Sequence, residues 1–116
     1  MVFYHFAFYV PESHLESLKA ALFLAGAGVQ GDYQECAWQV KGQGQFRPQQ
    51  GSNPYIGTLG QLSYESEYKV ELYVAAEHIC GVLRTFFEQH PYEEPAYYLL
   101  ESLDARAILA QQHLGD

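Results

Sequence analysis

Basic residues are scarce. Six Lys and Arg stand against fourteen Asp and Glu in 116 residues, a formal charge of −8, so little is available to neutralise phosphates and nucleic acid is argued against as a partner. An anionic membrane surface is disfavoured for the same reason. Cysteine is limited to Cys36 and Cys80, far apart and without C-x-x-C pairing, which argues against a zinc knuckle or a thioredoxin-type site and reads as two buried thiols in a reducing compartment. No apolar run approaches the length of a membrane span. The apolar opening, Met1 to Val10, lacks a basic stretch before it and meets Pro11 and Glu12 too early for a signal peptide. A soluble, cytoplasmic chain is expected. Nor does any nucleophile motif support a Ser/His/Asp set, with His5, His14, His78 and His113 scattered over separate elements.

What the chain has in abundance is apolar and aromatic surface, 48% and 16% of its residues, enough for one core and therefore one domain over residues 1–116. Val2 to Val10 is rich in β-formers and apolar on both faces, the pattern of a central strand. Ser13-His14-Leu15-Glu16 has the form of a capping box, opening a helix with Leu15, Leu18, Leu22 and Ala25 on one stripe and Gly26 as its left-handed stop. Cys36, Trp38 and Val40 then alternate with polar residues in a second strand, which points Cys36 where Trp38 points. A long irregular insertion at about 42–62, rich in glycine and amides, is expected to be functional or mobile. Ser63 to Val74 is the clearest strand. A helical stripe over Glu77 to His90 and a strand over Tyr97 to Leu103 follow, and Asp104 can cap a short helix through Ile108, Leu109 and His113.

The order β-α-β, long loop, β-α-β is that of an α+β fold, the ferredoxin-like βαββαβ arrangement, with an antiparallel sheet carrying two helices on one face. The other face stays bare. An uncovered aromatic sheet face of this size predicts self-association.

Two stretches carry candidate chemistry. In His90-Pro91-Tyr92-Glu93-Glu94-Pro95 the prolines end the helix and hold an imidazole beside two carboxylates. His90, Glu93 and Glu94, with Cys36 as a weaker addition, could hold a divalent metal ion at the sheet edge, completed by a neighbouring subunit. The competing reading is a helix stop in which His90 caps terminal carbonyls and the glutamates are solvated. In the second stretch, Gly42-Gln43-Gly44-Gln45-Phe46-Arg47, backbone amides could approach a small anionic ligand, with Lys41, Gly42, Gly44, Phe46 and Arg47 as its contacts. It opens no helix, so the dinucleotide fingerprint is not met, and a bent hairpin extension whose glycines permit tight turns and inter-subunit contacts is the preferred reading.

Tyr9-Val10-Pro11-Glu12, Gly26-Ala27-Gly28, Gly31-Asp32-Tyr33, Cys36-Ala37-Trp38, Gly42-Gln43-Gly44-Gln45-Phe46-Arg47-Pro48, Gly51-Ser52-Asn53-Pro54-Tyr55-Ile56-Gly57 and His90-Pro91-Tyr92-Glu93-Glu94-Pro95 together resemble the inserted domain of the Nif-three-like (YqfO) family. The His-Pro-Tyr-Glu turn is also similar to one in the CutA divalent-cation-tolerance proteins, which share a trimeric ferredoxin-like architecture with the PII signalling proteins. The resemblance implies a free-standing PII/CutA-like domain that forms a homo-oligomer, a trimer by preference. It further implies a regulatory or ligand-sensing role rather than an enzymatic one. Full-length members carry a dinuclear metal centre on two flanking segments, for which this chain has no room, so their hydrolase and cyclohydrolase labels are not expected to transfer. A metal-dependent hydrolase with an inter-subunit site and a purely structural assembly module are the alternatives.

Overall fold

Strand β1 (Phe3–Pro11) is the axis of the molecule, paired antiparallel on one side with β3 (Ser63–Ala75) and on the other with β4 (Tyr97–Ser102). The computed structural model describes residues 2–115, with side chains through residue 112. Helix α1 (Glu12–Leu24) follows β1, and β2 (Trp38–Phe46) pairs antiparallel with β3 at the sheet's edge. A 3-10 turn over Ala76–His78 leads into α2 (Ile79–Gln89), and α3 (Ala105–Gly115) ends the chain. The sheet order is β2-β3-β1-β4. This is the expected α+β, ferredoxin-like arrangement.

Alternation along β1 decides the layers. Phe6, Phe8 and Val10 are fully buried on the face that α1 and α2 cover, against Leu18, Leu22, Val82 and Phe86 and beside Val70 and Val74 of β3. Phe86 stands edge-on to Phe6 at 5.0 Å between ring centroids and 5.3 Å from Phe8, within the range of favourable aromatic pairs. Burial stabilises by about 1.5–3 kcal/mol for each side chain of this size. Phe3, His5, Ala7 and Tyr9 take the opposite face.

The first helix begins earlier than the capping box indicates. Pro11, at φ −66° and ψ 151°, flanks its start without a side-chain cap, and Ser13 lies inside the helix with Oγ 2.9 Å from His14 Nδ1. The end of that helix is as expected: Gly26 adopts φ +113°, and the Ala27 and Gly26 amides donate back to the Leu22 and Phe23 carbonyls, the paired bonds of a Schellman stop, with Ala27 packed into the core. A Cβ at Gly26 would meet the His78 ring at 2.7 Å, so the left-handed turn and the close approach both require glycine there.

Three other expectations change. β2 does not stop near Lys41 but continues to Phe46, because Gly42, Gln43, Gly44 and Gln45 pair with Glu67, Ser66, Glu65 and Tyr64. The irregular connection is accordingly 47–62, and the hairpin extension is a regular antiparallel arm. Cys36 precedes β2 instead of sharing its face, and neither thiol is fully buried, with Cys36 half-exposed and Cys80 exposed. At the other end Asp104 caps α3 as foreseen, its Oδ1 accepting from the Arg106 and Ala107 amides at 3.0 and 3.2 Å. The side chain of His113 lies outside the described residues.

The arm and α3 make the chain long. Its radius of gyration is 17.2 Å and its extents are 61 × 26 × 24 Å, against about 13 Å for a compact chain near this size. Leu103, Ile108 and Leu109 are exposed on and before α3, and Trp38, Val40, Tyr73 and Leu100 on the bare sheet face. No helix among the described residues is long and apolar enough to cross a membrane.

Candidate functional site

The turn after α2 and the connection after β2, far apart in sequence, form one cleft. His90 ends α2 in an extended conformation, φ −70° and ψ 135°, as a residue before proline must. Its ring is buried and both nitrogens are used: Nε2–H donates to the Tyr9 carbonyl of β1 at 2.7 Å, and Nδ1 accepts the Tyr92 amide at 3.0 Å. Burial holds its pKa below the ordinary value, the bond to Tyr9 partly opposing this and the nearby His14 adding to it. The imidazole is therefore neutral, with its lone pair occupied by an amide. It caps no carbonyl of its own helix, since its partner is a strand 81 residues upstream.

Glu93 faces the other way. Its Oε2 accepts the Asn53 amide at 2.8 Å, lashing the connection to the turn. The connection is braced internally as well, by the Gly60 amide on the Pro48 carbonyl at 2.7 Å and the Ser52 hydroxyl on the Gln49 carbonyl at 2.7 Å. Between the two lies a cleft of about 430 Å³ walled by Phe46, Tyr55 and Tyr92, with Arg47, Glu67, Glu93 and Glu94 among its polar groups. That volume lies in the range of small-molecule sites. The Tyr92 ring centroid is 6.4 Å from Phe46 and 6.2 Å from Tyr55, tilted 50° and 54° to them.

The Tyr92 hydroxyl is buried with no partner in hydrogen-bonding geometry, though Glu67 is near enough to act on it. Burial first, then the Glu67 charge, pushes the phenol up to about 12. Glu67 is itself raised above 4.5, chiefly by burial and further by Glu65, while contact with Tyr92 acts in the opposite sense. The folded protein thus holds the Glu67 proton more tightly than the unfolded chain does. The penalty for ionising it is absent below the unfolded value and develops as pH rises through the folded one. Glu67→Gln is expected to raise the melting temperature above that of wild type at about pH 7 and to give no gain at about pH 4, as thermal unfolding across pH would show.

Of the residues singled out in the sequence, Phe46, Arg47, Glu93 and Glu94 line this cleft. Lys41, Gly42 and Gly44 do not: Gly42 and Gly44 are spent on strand pairing, and Lys41 Nζ stands 3.9 Å from Glu12 Oε2. The residues His90, Glu93 and Glu94 do not converge, because His90 points to β1 and Glu93 to the Asn53 amide. Among the described residues no three His, Cys, Asp or Glu side chains are grouped to hold a metal ion. Cys36 lies elsewhere, in a second cleft of about 320 Å³ with Trp38, Tyr73 and the His5–Glu71 pair, whose Nε2 and Oε1 are 3.0 Å apart.

Tyr55, Glu67 and Tyr92 escaped sequence reasoning as cleft residues. Gly44 was the available signal for Glu67, since a Cβ there would overlap the Glu67 carboxylate.

No family model matches the chain. Individual relatives do. It is 41% identical over 112 residues to the GTP cyclohydrolase 1 type 2 homolog of Halalkalibacterium halodurans, covering 97% of this chain and 30% of the relative. With the Mycobacterium leprae protein of the same name it shares 44% over 89 residues, 77% of this chain and 23% of the relative. It superposes on a Bacillus cereus protein related to NIF3 with a TM-score of 0.75 and 32% identity, over 89% of this chain and 26% of the other. CutA from Synechococcus elongatus superposes with a TM-score of 0.63 and 19% identity, over 94% and 85% of the two chains, a likeness of fold. The chain spans less than a third of the length of these curated relatives. Its homologues are thus proteins of the Nif-three-like (YqfO) family, one segment of which it matches, and its fold is the PII/CutA-like ferredoxin fold.

Proposed function

We propose that this chain is a homo-oligomeric binding module, a trimer by preference, that takes a small organic ligand in the cleft between the arm and the turn and serves a regulatory rather than a catalytic role. The cleft carries the reading: two segments distant in sequence are lashed together through Asn53 and Glu93 around about 430 Å³ of partly apolar space. Assembly is supported by the bare sheet face, where Trp38 is 58% and Leu100 52% exposed, more apolar surface than a solitary subunit of this size usually leaves wet. A hydrolase centred on His90 is weakly supported, because that ring has no free lone pair. A divalent metal at Glu93 and Glu94 would need ligands from a second subunit.

A thermal-shift screen of small metabolites and divalent cations, run on wild type and Arg47→Ala beside light scattering, tests this. At least one organic compound should raise the melting temperature of an oligomeric protein, a ligand at 100 times its Kd adding about 2.7 kcal/mol. Arg47 is exposed, so Arg47→Ala should change the ligand response while shifting intrinsic stability by no more than about 0.5 kcal/mol. A response to divalent ions alone would favour a metal-binding module, turnover of nucleotides or phosphoesters lost on Glu93→Gln would favour the hydrolase, and an oligomer indifferent to every compound would favour a purely structural module.

A further inference from the structure

We infer that the ligand of this cleft is a small organic cation of the alkylammonium class. The inference rests on the reading of the cleft as a ligand site and adds the charge and shape of what enters it. Three carboxylates, Glu67, Glu93 and Glu94, line the space against one guanidinium, Arg47. Arg47 is exposed, whereas Glu67 is half-buried. An anion would therefore meet net repulsion and a cation net attraction, reinforced by the −8 charge of the whole chain, which steers cations inward.

The walls select among cations. Phe46, Tyr55 and Tyr92 wall the cleft, Phe46 and Tyr55 each tilted by 50° to 54° against Tyr92 rather than stacked flat on it. Aromatic rings grouped with carboxylates bind substituted ammonium groups, whose diffuse charge and methyl surface suit ring faces, in preference to strongly hydrated inorganic ions. One feature of the cleft fits this occupant: the Glu67 carboxyl is held in a partly desolvated place beside the Tyr92 hydroxyl, with no basic side chain paired to it among the described residues. A positive group entering beside Glu67 would offset the desolvation of the carboxylate.

Choline chloride is the probe, titrated by calorimetry and by nuclear magnetic resonance of the tyrosine rings, against sodium chloride at matched ionic strength. The second comparison is the uncharged alcohol in which a tert-butyl group replaces the trimethylammonium group. Saturable binding of choline is expected, with the alcohol weaker by about tenfold, and Tyr55→Leu and Glu67→Gln each weakening choline by about fivefold or more. Both variants should fold, since Tyr55 is half-exposed and Glu67→Gln removes a half-buried charge. Equal binding of alcohol and choline would overturn the cation inference while leaving the cleft a ligand site. Tighter binding of inorganic phosphate than of choline would overturn it in favour of an anion. Absence of saturable choline binding would also overturn it, and would leave the broader reading to the metabolite screen.

Discussion

Replacing His90 with alanine should lower the melting temperature by roughly 8–16 °C. The ring makes two hydrogen bonds, to the Tyr9 carbonyl and from the Tyr92 amide, and packs against Phe86 and Tyr92 at centroid distances of 5.3 and 5.1 Å. Alanine removes both partners at once. Each buried backbone group left unsatisfied costs about 1–3 kcal/mol, and the vacated space adds to that; a total of about 2–4 kcal/mol corresponds to a shift of that order for a domain near this length.

Acid should mimic part of this change. Because burial depresses the His90 pKa, the unfolded chain takes up the proton first. The stability the neutral ring contributes is complete above the unfolded value of about 6.5 and is lost as pH falls towards the folded one. Protonated Nδ1 can no longer accept the Tyr92 amide. Thermal unfolding between about pH 7 and pH 5 should show a decline in wild type that His90→Ala largely lacks. An equal slope in both proteins would mean that other groups set the acid sensitivity.

The second large effect concerns assembly. If the bare sheet face is where copies meet, as proposed, Trp38→Asp should raise the dissociation constant of that assembly by about 30-fold or more, the cost of losing a tryptophan anchor and burying a carboxylate in its place. Trp38 lies across from Glu71 at the start of β2, 58% exposed, on the same face as Val40, Tyr73 and Leu100. None of these belongs to the core cluster. The variant should therefore keep its secondary structure and sediment as a monomer at concentrations where wild type does not. A wild-type protein that stays monomeric at high concentration would remove the premise.

How much was legible in the sequence depended on how local the cause was. Val2 to Val10 announces a central strand by its apolar residues on both faces, Gly26 its turn by position, and Asp104 its cap by spacing. β2 beyond Lys41 was not legible: Gly42, Gln43, Gly44 and Gln45 have poor strand propensity, and only their pairing with Glu67 through Tyr64 makes them a strand. The Ser13 box was locally well formed, yet the chain turned into helix directly at Glu12, leaving Ser13 a surface residue with a histidine for company.

The candidate site divides along the same line. Arg47, Phe46, Glu93 and Glu94 were each conspicuous, but nothing in the sequence says that the two stretches meet, and neither the metal reading nor the anion reading combined them. The Asn53–Glu93 bond joins residues 40 apart. Once they are joined, the charges of both must be counted together, which reverses the sign of the ligand suggested by Lys41 and Arg47 in isolation.

The sheet order also sets a schedule for the growing chain. Of the four strands β1 is made before the others, and both its neighbours, β3 and β4, come later, Phe3 waiting for Ala75 on one side and Ser102 on the other. Until then its two hydrogen-bonding edges have nothing native to grip. Closing such wide loops is slow, so a nascent or truncated chain lacking β4 displays an apolar strand with an open rim, and the period before β4 docks is when this protein is most open to capture by the wrong neighbour.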